Sequence, residues 1–249
     1  MTTEIACFIS PHGFGHATRT IAVLEKLQQL RPDLHPHIFT TVPESLIRQT
    51  LPFFTYHHVL VDIGLVHNST LEEDLDATLV RLDAFLPFSL PLINRLAALC
   101  ADCSFILCDI APLGIAVAKQ TGIHSILLEN FTWDWIYEAY LEGFPQLAVH
   151  AQYLQGEFAR ADYHIQTEPL CNPGKRDLLC GPIFRQKRGD AADIRKTLSC
   201  STKKTVLITL GGLPHQLPNW PALIQYSDYN FIFSGQKATE RISKNIFYL

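Results

Sequence analysis

The chain has 249 residues, 47% of them hydrophobic and 18% charged, with a formal net charge of −4. That apolar fraction supports a sizeable core and excludes a disordered chain, and the slight acidity advertises no basic face for nucleic acid. No apolar run approaches the ~20 residues that span a bilayer, and MTTEIACF lacks the basic region and long apolar core of a secretory signal.

Residues 5–10 form a short apolar run closed by proline and glycine, the pattern of a buried strand. Residues 17–30 follow with Ile21, Leu24 and Leu27 at helical spacing. Between them lies Pro11-His12-Gly13-Phe14-Gly15-His16. Its glycines permit a tight bend and close approach of a ligand. The helix start behind them offers free N–H groups and a positive dipole end, and the two histidines titrate near neutral pH. An ordinary glycine-rich strand-to-helix turn has the same outline.

Residues 35–42 read as a second strand, 43–51 as a short helix with proline at its start, and 54–62 as a third strand. His57 and His58 point to opposite faces of that strand, and His67 falls in a polar loop. Residues 71–100 keep a helical period that Pro87 and Pro91 should break or kink. A near-continuous apolar strand at 104–110 carries Asp109, and residues 112–121 form a helix closed by Gly122. A strand at 124–130 leads into the aromatic segment Phe131-Thr132-Trp133-Asp134-Trp135-Ile136-Tyr137. A helix at 146–160 and strands at 163–167 and 178–180 complete this half. The seven cysteines are an odd number without an export signal, which points to reduced thiols in a cytoplasm. Cys100 and Cys103 end a helix and begin a strand with no second ligand pair, so they read as buried structural cysteines.

Unbroken apolar strands alternating with helices imply an α/β fold with a doubly wound, Rossmann-like parallel sheet. Such sheets bind ligands at the carboxyl ends of their strands. That rule sets His12, His16, Asp109, Asn130 and Thr132 along one edge. Composition shifts after Pro182, where a basic, glycine-containing stretch reads as a linker. A helix at 191–198, a strand at 204–210, Gly211-Gly212-Leu213-Pro214 and a strand at 229–234 then look like the start of a second domain of the same type. The expected division is 1–183 for the first domain and 184–249 for the linker and a truncated second domain of about two strands.

Together, the turn ending in Gly-His, the strand-end aspartate, the linker and the strand ending in Gly-Gly resemble the two-domain GT-B glycosyltransferases. The chain is more closely similar to the glycosyltransferase-like N-terminal region of bacterial and plant L-arabinokinases and their free-standing relatives. GFGHATR at 13–19, SFILCDIAPLGIAVAKQTGI at 104–123 and ENFTWDWIYEAY at 129–140 carry that likeness, which covers roughly residues 4–235. The sugar-kinase domain of the kinases, with its glycine- and serine-rich phosphate loop, has no counterpart here, so arabinokinase activity does not carry over. The end of the second domain, which in the transferases holds most base and ribose contacts, is also missing from the pattern.

The resemblance implies inverting transfer of a sugar from a nucleotide-sugar to an acceptor hydroxyl, impaired by the incomplete second domain. The alternative is a non-catalytic sugar or nucleotide-sugar binding module. His16 matches the family's base position and Asp109 its partner; a histidine suits proton removal near neutral pH, and a carboxylate behind it sets the tautomer. On the acceptor side the resemblance sets His12, Gly13, Gly15, Asn130, Thr132, Trp133 and Asp134. His12 either meets a sugar hydroxyl or caps the turn, and Arg19 either reaches an anionic ligand or stays exposed on its helix. Trp135 and Tyr137 read as packed core. On the donor side Gly211, Gly212 and His215 would meet the diphosphate through backbone N–H groups and a polar side chain, although Pro214 removes one donor. No resident cofactor or metal is implied; the nucleotide-sugar is a co-substrate.

Overall fold

In the computed structural model, residues 2–69, 72–187, 189–198, 203–209, 220–234 and 243–248 are described. They form two compact units, Met1–Val66 with Asp74–Arg185, and His67–Glu73 with Gln186–Leu249.

The first unit is built on β1 (Thr3–Ile9), β2 (Leu34–Thr40), β3 (Thr55–His58), β6 (Ile106–Asp109), β7 (Ser125–Glu129), β8 (Tyr163–Thr167) and β9 (Leu178–Cys180). They make one seven-stranded sheet in the order β3-β2-β1-β6-β7-β8-β9, and every adjacent pair is parallel. The expected α/β parallel-sheet architecture is therefore present. Strand order reverses between β1 and β6, so the crevice that such sheets use for ligands opens at their carboxyl ends.

Side-chain alternation sorts β1 between two cores. Ala6 and Phe8 enter one cluster with Phe39, Cys108, Leu113 and Tyr137. Ile5, Cys7 and Ile9 enter the other with Ile21, Leu24 and Ile38. Both faces are thus covered, which explains the unbroken apolar strand sequences. Phe8 stacks on Phe39 with ring centroids 4.5 Å apart; each fully buried side chain of this size contributes roughly 1.5–3 kcal/mol.

The flanking helices have local causes. Helix α1 (Phe14–Leu30) starts at Gly13, whose φ of 75° suits glycine. The short α2 is Glu44–Arg48. The long helical region splits as its prolines require: α3 (Leu75–Phe85) ends before Pro87, α4 (Leu90–Leu99) carries Pro91 in its first turn, and the two meet at 73°. The Asp74 side chain caps α3 by accepting from Ala77 N–H at 2.8 Å. Helix α5 (Pro112–Thr121) closes at Gly122 in the left-handed conformation. It lies so near the sheet that a Cβ at Gly114 would sit 2.7 Å from Cys108 Sγ and from the Phe8 ring. The aromatic segment folds as α6 (Trp133–Glu138), followed by α7 (Leu147–Phe158). Cys7, Cys100, Cys103 and Cys108 are buried free thiols.

The strands β4 (Val66–Ser69) and β5 (Glu72–Asp74) pair with each other where the sequence suggested a polar loop and helix. In the second unit, α8 (Ala191–Thr197) precedes β10 (Lys204–Ile208), a 3-10 turn at Trp220–Gln225, β11 (Tyr229–Phe233) and β12 (Ile246–Tyr248). Its three strands form a parallel sheet, one strand more than the sequence pattern suggested. Phe231, Phe233 and Ile246 pack on one face and Leu198, Ile232 and Phe247 on the other. Among the described residues, no single helix is long and apolar enough to cross a membrane.

Candidate functional site

Asp109 ends β6 at the strand-order reversal and is fully buried. A carboxylate there needs its lone pairs filled, and four donor groups surround it. Arg19 binds through two nitrogens, Nε to Oδ2 at 2.9 Å and Nη2 to Oδ1 at 2.5 Å. The Thr20 hydroxyl donates to Oδ2 at 2.7 Å, and His16 Nδ1 lies 3.2 Å from Oδ1. Burial alone would raise the Asp109 pKa; the charge and hydrogen bonds of Arg19, with those of His16, overcome it and hold the carboxyl below its ordinary value.

His16, Arg19 and Thr20 all come from the first turns of α1, so one helix start delivers all four donors. Arg19 is buried, and its Nη1 donates to Asn130 Oδ1 at 2.8 Å, just beyond β7. Its role differs from both sequence expectations: it neither reaches outward for an anion nor lies on an exposed helix face. The sequence could not reveal this, because the pair forms across 90 residues. Nη2 of Arg19 also lies 3.4 Å from His16 Nδ1, so that nitrogen faces a carboxylate and a guanidinium together.

A second buried carboxylate supports the same edge. Asp62 Oδ2 accepts from Ser10 Oγ at 2.7 Å and from the indole Nε1 of Trp133, while Oδ1 accepts from Ile63 N–H at 2.8 Å. Burial pushes the Asp62 carboxyl up to about 6, against the lowering effect of those donors and of nearby His16. Asp62 was not singled out from the sequence; its only signal there is an aspartate at the end of an apolar run.

An aromatic chain connects the two carboxylate centres. His16 meets Phe131 edge-on at 5.8 Å, Phe131 meets Trp133 at 5.3 Å, and Trp133 meets His12 at 4.8 Å. Trp133 is buried, so its ring serves this packing rather than an exposed stacking face. Tyr137 is buried too, donating to Gly64 O at 2.7 Å, while Trp135 is half-buried. Gly64 has φ +62°, and a Cβ there would stand 2.5 Å from His12 Cδ2, so this glycine seats the histidine.

The remaining expected residues take distinct places. Gly13 makes the turn at positive φ. Gly15 is exposed, and a Cβ there would meet nothing within 4 Å, so it borders open space. Thr132 caps α6 with its backbone carbonyl, which accepts from Ile136 N–H at 3.2 Å. Asp134 is buried with Oδ1 lacking a hydrogen-bond partner among the described residues, and burial raises its pKa. Glu129, at the end of β7, shares that feature at Oε2, while its Oε1 accepts from His164 and Gln166. Gly211, Gly212 and His215 lie outside the described residues. Directly after Asp109, the buried β-branched Ile110 has φ 49°, a strained conformation worth roughly 1–3 kcal/mol.

No protein-family model matches the chain. It is 28% identical over 221 residues to the L-arabinokinase of Arabidopsis thaliana, a match covering 84% of this chain and 21% of that protein. The chain therefore spans about a fifth of the curated relative it matches. Among solved structures, the glycotransferase of kitacinnamycin aligns with a TM-score of 0.60 at 14% identity, covering 99% of this chain and 70% of that one. Phytolacca americana UGT2, complexed with UDP-2-fluoro-glucose and pterostilbene, aligns at 0.56 and 14% identity over 100% of this chain and 71% of that one. Arabidopsis thaliana UGT89C1, complexed with UDP-L-rhamnose, aligns at 0.54 and 14% identity over 100% of this chain and 69% of that one. These neighbours are GT-B glycosyltransferases, and the likeness shows that fold.

Proposed function

We propose that the chain carries the acceptor half of a GT-B glycosyltransferase and that His16 is the general base of an inverting transfer. The observation that carries this reading is the His16–Asp109 pair, 3.2 Å apart at the carboxyl edge of the two strands where strand order reverses. With Nδ1–H donating to Asp109, Nε2 keeps its lone pair and accepts the proton of an acceptor hydroxyl. The oxygen freed of that proton attacks the anomeric carbon. The bond from that carbon to the nucleotide diphosphate breaks, and the diphosphate leaves with the electron pair. The buried oxygens of Asp134 and Glu129 that lack donors suit sugar or acceptor hydroxyls, which bring hydrogens to share. Gly211, Gly212 and His215 are the proposed donor-diphosphate contacts. The co-substrate is a nucleotide-sugar, as in the UDP-sugar complexes of Phytolacca americana UGT2 and Arabidopsis thaliana UGT89C1.

One observation favours a second reading, a binding module without catalysis. Arg19 already neutralises Asp109 through two nitrogens, which weakens the pull of that carboxylate on a histidine proton. If Nδ1 accepts from Arg19 instead, Nε2 carries hydrogen and donates to a ligand.

The test is nucleotide release from a panel of nucleotide-sugars and acceptor alcohols, run beside calorimetry of the same donors. His16→Ala is expected to lower release by about 10²–10⁴-fold while leaving donor affinity unchanged. Binding without release favours the module, and absence of both from every donor tried would sink both readings.

A further inference from the structure

The amino-terminal end of the seven-stranded sheet carries a second histidine–carboxylate cluster, remote in the strands from the edge that holds Asp109. It arises from two simple rules. Strand side chains alternate, so in Leu34-His35-Pro36-His37 the two imidazoles share one face of β2. The parallel register then sets Glu4 of β1 directly across from His35. The donor atoms of Glu4, His35 and His37 all fall within 4.8 Å of one another, and all three residues are half-buried. No ligand cluster is visible in the sequence alone, because only the register brings Glu4 to the two histidines.

We propose that Glu4, His35 and His37 form a site for a divalent transition-metal ion, with Zn²⁺ as its occupant. Two imidazole nitrogens and one carboxylate oxygen match that ion and are too nitrogen-rich for Mg²⁺ or Ca²⁺. Tetrahedral zinc with bonds near 2.1 Å sets its ligand atoms about 3.4 Å apart. Glu4 Oε2 and His37 Nε2 are already 3.0 Å apart, and half-buried side chains have room for the small rotation that completes the set.

The other nitrogen of each histidine is already held. His37 Nδ1 lies 3.1 Å from His57 Nε2, and His35 Nε2 lies 2.9 Å from the Thr55 hydroxyl. Metal-bound histidines are oriented by such a partner on their second nitrogen. That leaves His37 Nε2 and His35 Nδ1 as the metal ligands. His57 is itself fixed, stacked on Phe39 at 4.3 Å and on His37 at 5.4 Å. Three protein ligands leave a fourth position for water, and the bound ion would tie β1 to β2. This inference is independent of the transferase reading, since none of its residues belongs to that edge.

The full chain, stripped of metal with a chelator, would be titrated with Zn²⁺ by calorimetry and with Co²⁺ by visible absorption. The expected result is one ion per chain, a tetrahedral Co²⁺ spectrum, and at least about tenfold weaker binding in His35→Ala and His37→Ala. Far-UV circular dichroism checks that these variants fold. Glu4→Gln, which keeps the size of a half-buried side chain, gives the same comparison should either histidine variant unfold. Zn²⁺ uptake in the variants equal to that of the parent chain would assign the ion to the cysteines or the surface and overturn the proposal. Absence of saturable uptake would mean a hydrogen-bonded network only, and would overturn it equally.

Discussion

Two histidine–carboxylate pairs stand at opposite ends of one sheet, and they differ in almost everything except their distance. At the carboxyl edge, His16 and Asp109 are 3.2 Å apart, the carboxylate is fully buried, and Arg19 and Thr20 fill its remaining lone pairs. At the amino end, His37 and Glu4 are 3.0 Å apart, with side chains 22% and 28% exposed. Burial is the deciding difference. A charge inside the protein must be held by several donors in fixed geometry, whereas a half-exposed one can exchange a protein partner for water or an ion. The first arrangement suits a reaction that needs one proton in one place. The second suits reversible occupancy.

Removing a partner from each end should expose this contrast most strongly. Arg19→Ala leaves Asp109 buried without its cation, and urea denaturation should show a loss of about 3–5 kcal/mol. If the loss is under 1 kcal/mol, Asp109 is not held as a buried charge in solution.

The next effect concerns Asp62, whose carboxyl burial pushes up to about 6 from an ordinary 3.8. Its folded value lies above its unfolded value. As pH rises from about 4 to about 6, the unfolded chain has lost this proton while the folded chain still keeps it, so stability falls. The two-unit gap corresponds to about 3 kcal/mol. Asp109 acts in the opposite sense, because its folded value is lowered: its contribution is present above the ordinary carboxylate range and is lost as pH falls through the folded value. Measuring stability against pH for the parent and Asp62→Asn isolates the first effect. The parent-minus-variant difference should decline over that window, and a flat difference would contradict the raised value.

The smallest effect belongs to the amino end. Without added metal, Glu4→Gln removes a partly exposed pair and should change stability by no more than about 1 kcal/mol. A loss as large as that of Arg19→Ala would erase the distinction between the two ends.

The same contrast explains what the sequence could and could not disclose. Strand and helix periods reach their neighbours within a few residues, so the parallel sheet, the Pro87–Pro91 break and the Gly122 cap were all legible. His16 and Asp109 were legible as residues of one edge because both sit at strand-to-helix junctions, and as a pair only through the family resemblance. Arg19 was not, since its partner lies 90 residues away and a helix arginine is ordinarily exposed. Asp62, Gly64 and the register of Glu4 against His35 were hidden for the same reason: each takes its meaning from another strand or loop. The short helix of the aromatic segment and the strand Ile246–Tyr248 were missed because they are too brief for a period to show.

The central claim is that Asp109 accepts a hydrogen bond from Nδ1–H of His16 and leaves the Nε2 lone pair as the base. Imidazole ¹⁵N chemical shifts measured on the full chain, with the His16 signals assigned by their loss in His16→Gln, report that tautomer directly. The account predicts hydrogen on Nδ1 and a lone pair on Nε2 in the neutral imidazole. Hydrogen on Nε2, with Nδ1 accepting from Arg19, would contradict it.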